Sequence, residues 1–191
     1  NVTSSLGAKT FPLPLPIGLK STTLSENFDS VGAPNLPSGW TTTVESGGGA
    51  FTTSNQAADT APNSAFAPNA NVTGASSLVS PLIAVNSQIA TVSFRHRYLV
   101  ETPFDGGVLE ISIGGGGFQD IIAAGGSFTE GGYDGTLSAG NGSNPLSGRP
   151  AWTGNRSSFF TTTVQLPPSA NGQNVQLRWR LGTDSNTGTD F

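Results

Sequence analysis

The stretch IATVSFRHRYLV, residues 89–100, decides the fold. Val92, Phe94, His96 and Tyr98 alternate with Ser93, Arg95 and Arg97, the two-residue period of a β-strand with one face buried and the other solvated. Towards the C-terminus, residues 107–113 and 118–123 flank the run GGGG at 114–117. Glycine supplies the positive φ that a tight connection needs, so the two segments predict a hairpin. Residues 159–166 and 173–181 return as strands joined by PPSANG, with Leu177, Trp179 and Leu181 on one face and Arg178 and Arg180 on the other. Towards the N-terminus, residues 78–85 read as a short strand interrupted at Pro81, and residues 40–45 and 50–53 as strand-like stretches punctuated by Gly and Pro. Residues 55–76 are polar and without a period, and residues 125–156 form a glycine-rich excursion.

Roughly nine strands and no segment of helical period predict an all-β protein. The architecture expected is a two-sheet antiparallel β-sandwich of jelly-roll topology over residues 25–191, preceded by an extended N-terminal arm over residues 1–24. Composition agrees. The chain has 191 residues, 35% hydrophobic and only 10% charged, with 26 Gly and 13 Pro, which suits short strands joined by many turns around one core. A net charge of -4 with no run of Lys or Arg leaves no electrostatic footprint for nucleic acid. No apolar run reaches the length of a membrane span, so insertion in a membrane is not expected. The absence of Cys removes disulfides and thiolate metal sites, and directs attention to bound ions as a source of stability.

The arm contains TFPLPLPIGLK, residues 10–20, with Phe11, Leu13, Leu15, Ile17 and Leu19 at alternate positions and Pro12, Pro14 and Pro16 between them. In an extended chain those prolines strip the donors from one edge and leave the other complete. The segment is therefore expected to lie as a strand against a sheet edge, of its own domain or of the next copy; the latter contact is head-to-tail and builds a filament. A polyproline II linker is the alternative reading.

Several blocks together resemble a known family: ENFDS at 26–30, PSGW at 37–40, LVSPLI at 78–83, TVSFRHRYLVETPFDGGVLEISIGGGGFQDI at 91–121, NPLSGRPAW at 144–152 and VQLRWRLGTDS at 175–185. They resemble the MAM-like, concanavalin-like jelly-roll modules of large secreted bacterial proteins, close to the cleaved-adhesin group and to modules appended to exported peptidases. The resemblance implies a non-catalytic module, extracellular or on the cell surface, and often calcium-bound, with acidic residues recurring at the positions of Glu101 and Asp105. Such modules continue into a last strand beginning Gly-Trp, so on this resemblance the sandwich is expected to lack its closing strand.

No catalytic residue is expected. The single histidine, His96, falls on the apolar face of its strand, where a hydrogen-bonded core role outweighs a general base. Glu101, Asp105 and Glu110 could supply a glycosidase pair, yet Glu110 alternates with Leu109 and Ile111 as the solvent face of a strand would. Calcium wants carboxylates supplemented by carbonyls in Gly-rich turns. Glu101 and Asp105 flank the turn TPF, with a bridge to Arg95 or Arg97 as the alternative; Glu26 and Asp29 bracket the start of the sandwich; Asp59 could join either group; and Asp184 opens the oxygen-rich DSNTGTD. Trp152 in RPAWTGN reads as loop-borne and, with Tyr133 and loop carboxylates, raises the alternative of a carbohydrate-binding module attached to a secreted enzyme, stacking glycans on aromatic faces.

Overall fold

A computed structural model describes residues 2–4, 7–9, 20–68, 70–140 and 144–185. The expectation for Phe11 to Leu19 lies outside the described residues. In chain order the strands are β1 (Val2–Ser4), β2 (Gly7–Lys9), β3 (Thr41–Glu45), β4 (Thr52–Ser54), β5 (Ser64–Phe66), β6 (Gly74–Val79), β7 (Ile83–Val85), β8 (Thr91–Leu99), β9 (Gly106–Ile113), β10 (Gln119–Asp120), β11 (Ser127–Glu130), β12 (Gly135–Thr136), β13 (Pro150–Ala151), β14 (Asn155–Gln165) and β15 (Gln173–Thr183). A single 3₁₀ turn, Pro168–Ala170, precedes β15. The protein is all-β.

Two sheets enclose the core. The six-stranded sheet has the order β10-β9-β15-β6-β3 with β7 also paired to β15, and the three-stranded sheet has the order β11-β14-β8. All pairings are antiparallel. These pairings define the sheets without fixing a jelly-roll path. Leu78, Leu109, Ile111, Val175, Leu177 and Leu181 come from the larger sheet and Tyr98 and Val164 from the smaller, all buried in one cluster. The alternation of residues 92–98 places Phe94 in edge-to-face contact with Trp152 and Trp179, at 5.8 and 5.4 Å, an arrangement aromatic quadrupoles favour. At the N-terminus β1 pairs antiparallel with β2.

The predicted hairpin is present, with Gln119 opposite Ile111 and Asp120 opposite Glu110. Gly114 and Gly115 take φ of 60° and 78° in its turn, values that L side chains resist. Its second arm is shorter than predicted. Asp120 Oδ1 accepts the Ile122 N–H at 2.9 Å and Asp120 O accepts the Ala124 N–H at 2.8 Å, so the chain turns away after two paired residues.

Within the excursion at 125–156, β11 joins the smaller sheet, while the parts carrying Leu137, Leu146 and Ala151 cover the outer face of the larger one. Val108 of β9 packs with Leu137, Leu146 and Ala151 in a second buried cluster. Close approach of this cover requires glycine beneath it: a Cβ on Gly182 would stand 2.4 Å from Asn144 Oδ1, and one on Gly106 would stand 2.7 Å from Trp152 O.

Candidate metal centre

β8 ends at Leu99 in one sheet and β9 begins at Gly106 in the other. The crossing is a tight turn in which Glu101 O accepts the N–H groups of Phe104 and Asp105, each at 2.8 Å. Register then brings the end of β15 alongside, because Gly182 lies opposite Gly106. Asp184, just past β15, donates its N–H to Asp105 Oδ1 at 2.8 Å. Thr153 Oγ1 donates to Asp105 O at 2.7 Å, and Asn144 Nδ2 to Phe104 O at 2.6 Å. The turn is thus fixed from three sides before any ion is considered.

Carboxylate oxygens of Glu101, Asp105 and Asp184 all lie within 4.8 Å of one another, and this is the one such group among the described residues. Asp105 is fully buried and Asp184 is 4% exposed. Glu101 is partly buried, but its Oε2 is sealed from solvent and has no hydrogen-bond partner. At an effective dielectric near 20, two unit charges at that separation repel by about 3.5 kcal/mol. A counter-cation would remove this cost, and Glu101 Oε2 is placed to coordinate one. The donor set is all oxygen with no imidazole or thiolate, the preference of a hard ion such as calcium, which fills its remaining positions with carbonyls and water.

The other expected ligands do not join this group. Asp29 is held by three protein donors: its Oδ2 accepts Asn27 Nδ2 at 2.7 Å and Thr60 Oγ1 at 2.8 Å, and its Oδ1 accepts the Asn63 N–H at 3.0 Å. Glu26 Oε1 accepts the Phe28 N–H at 2.7 Å. Asp59 pairs with Arg95 at 2.5 Å. These three carboxylates are thus engaged with protein donors away from the Glu101, Asp105 and Asp184 group. Arg95 therefore does not bridge to Glu101 or Asp105, and Arg97 Nη1 donates to Ser157 O at 3.2 Å.

The aromatic reading is corrected outright. Trp152 is 0% exposed. Its Nε1 donates to Gly131 O at 3.0 Å, and Phe94, His96, Phe128 and Tyr133 surround its ring. The Tyr133 hydroxyl accepts the Leu109 N–H at 3.0 Å and lies 3.0 Å from Asp120 Oδ2; burial, with Asp120 second, pushes its pKa up. Trp152 has no face free for a sugar, and Tyr133 is half-buried with its hydroxyl engaged and its ring against Phe128 and Trp152. The two-residue strand β13 in front of Trp152 is too short to show a period, and it docks the ring through the Gly107–Trp152 bridge.

His96 occupies the expected core position. Thr162 Oγ1 donates to Gly131 O at 2.6 Å and stands 2.9 Å from His96 Nε2, so the imidazole proton sits on Nε2 and points at the hydroxyl. Burial, followed by the charge of Arg156, lowers the His96 pKa to about 3. The ring is neutral at neutral pH.

A second acidic group went unrecognised in the sequence. Glu110, expected on a solvent face, is only 3% exposed because the excursion covers it. Its carboxylate meets Arg149 Nη1 at 2.6 Å, Arg178 Nη2 at 2.5 Å and, more distantly, Arg180 Nη1 at 3.9 Å. Arg149 also reaches Asp120 at 2.9 Å, and Arg180 pairs closely with Glu45. The alternation of Arg178 and Arg180 in β15 was the available signal, since Arg178 lies directly opposite Glu110.

Comparison of the chain with family models, curated proteins and solved structures returned no match.

Proposed function

We propose that the protein is a non-catalytic structural or adhesive module of the kind found in large secreted bacterial proteins, acting outside the cell and fastened by calcium at Glu101, Asp105 and Asp184. The observation that carries this reading is the convergence of the three carboxylates around an oxygen, Glu101 Oε2, that is buried and without a partner. Calcium offsets their mutual repulsion and ties β8, β9 and β15 together at one point.

The absence of catalysis in this reading has its own support. His96 is neutral and enclosed by Phe94, Trp152 and Phe160. Asp105 and Asp184 are buried, with Asp105 Oδ1 taken up by the Asp184 N–H, rather than facing each other across an open cleft. Glu110, the third candidate, is occupied by Arg149 and Arg178.

Calorimetric titration of the chain with calcium tests the proposal, together with terbium emission excited through tryptophan, since Thr153, next to Trp152, hydrogen-bonds Asp105 O. Saturable binding that Asp105→Asn abolishes is the expected result. Melting curves that coincide in calcium and in chelator would remove the reading.

A second reading, self-assembly through the N-terminal arm, is favoured by one observation. Among the described residues β3 is the terminal strand of the larger sheet, mostly exposed, and TTTVE carries no Lys, Pro or bulge to blunt its edge, an edge suited to pairing with another strand. Deletion of residues 1–20 checks this: an equally stable, monodisperse chain with no loss of polymers would end it.

A further inference from the structure

The three carboxylates stand at one end of the sandwich, where β8 leaves one sheet, β9 enters the other and β15 finishes. The opposite end, where β9 finishes and β15 begins, is built from residues 112–118 and 170–174, which contain no charged side chain. Backbone bonds close it: the Gly114 N–H donates to Asn174 O at 2.9 Å and the Gly172 N–H to Val85 O at 2.7 Å. At the carboxylate end the closing bonds run through the acidic residues themselves. Asp105 Oδ1 accepts from Asp184, Asp105 O accepts from Thr153, and Glu101 O accepts from Phe104 and Asp105. Whatever strains the carboxylates strains these bonds, and no equivalent strain reaches the other end.

We infer that the cation is a local clamp: bound, it closes the end where β8, β9 and β15 meet; removed, it opens that end alone and leaves the core and the charge-free end folded. The inference rests on the proposed cation site and concerns what its occupancy controls. Repulsion among three carboxylates acts over a few ångströms and falls on the turn at 101–105 and on the last residues of β15. The core between the sheets is held by buried apolar side chains that do not touch this balance, so local opening is cheaper than global unfolding. The control is by divalent cation, and it acts on the turn at 101–105 and the end of β15.

Hydrogen exchange of the full chain, read by mass spectrometry near neutral pH with calcium and again with excess chelator, tests the clamp. Amides of residues 101–107 and 182–184 are expected to exchange at least about tenfold faster after chelation, with residues 112–118 and 170–174 unchanged. Equal acceleration at both ends would overturn the clamp and leave the cation site standing. So would unchanged exchange in a chain that still gives terbium emission. Unchanged exchange without terbium emission would remove the clamp and the proposed site together. Glu101→Gln keeps the side-chain shape and removes one charge, so its carboxylate end is expected to exchange slowly even without calcium. Exchange there as fast as in the chelated parent would overturn the inference.

Discussion

Two acidic groups in this molecule meet the same physical problem in different ways. Glu110 is buried on the outer face of the larger sheet and is matched by Arg149 and Arg178, with Arg180 nearby. Glu101, Asp105 and Asp184 are brought together at the end of the sandwich with one buried oxygen left without a partner. The first group carries its countercharge in the sequence; on the proposed reading, the second takes it from solution. A buried carboxylate needs a countercharge, hydrogen-bond donors or a proton to offset its desolvation, and a countercharge taken from solution makes stability there depend on the medium.

The comparison is broken most forcefully at Glu110. Glu110→Ala leaves Arg149 and Arg178 without their shared acceptor in a largely enclosed place, and breaking one partner out of a buried ion pair costs about 3–5 kcal/mol. Denaturant unfolding should show that loss equally in calcium and in chelator. A loss that calcium rescues would mean that the two groups are not independent.

Next in size is calcium itself. Mass action gives about 2.7 kcal/mol at a hundredfold excess over the dissociation constant, and chelator should remove that increment from the parent chain. Asp105→Asn should abolish the increment while leaving stability in chelator near that of the parent, since the amide oxygen can still accept the Asp184 N–H and one charge of three is gone. A parent chain whose melting is indifferent to chelator would erase the distinction between the groups.

Acid blurs the comparison in a predictable window. His96 titrates at about 3 in the folded chain against 6.5 in the unfolded one, so between these values the unfolded state binds the extra proton. The sign follows: this contribution is fully present above about pH 6.5, declines by about 1.4 kcal/mol per pH unit as pH falls towards 3, and levels off below. His96→Gln should flatten that slope in urea unfolding at stepped pH. A slope unchanged in the variant would place the acid sensitivity elsewhere. Calcium effects are therefore best measured above pH 6.5.

What could be read in the sequence was whatever is local. The alternation from Val92 to Tyr98, the GGGG turn and the placement of Glu101 and Asp105 about one turn all depend on neighbours a few residues away, and all three are present in the fold. What could not be read depends on distant register. Asp184 reaches Asp105 because Gly182 pairs with Gly106, and Glu110 is buried because a loop some thirty residues on folds over it. Trp152 was misjudged for the same reason, since the side chains that enclose it come from β8, β11 and the loop carrying Tyr133. Asp29 and Asp59 found other company that also depends on distant register: donors from the loop at 60–63 meet the first and Arg95 meets the second.

Asp59 supplies the smallest and most discriminating test. Its pair with Arg95 lies at the surface, with side chains 32% and 47% exposed, where solvent screens the attraction and two side chains lose freedom to hold it. Arg95 also donates to Thr161 Oγ1 and Phe159 O, so it keeps partners when the carboxylate is gone. Asp59→Asn is therefore expected to leave the melting temperature and the calcium increment within error of the parent, and differential scanning fluorimetry with and without chelator reads both at once. A selective loss of the calcium increment would return Asp59 to the ligand set and require the loop at 55–62 to close on the carboxylate end when the ion binds. An unchanged increment leaves the cation to Glu101 and Asp105, which share one turn, and to Asp184, which register brings to them.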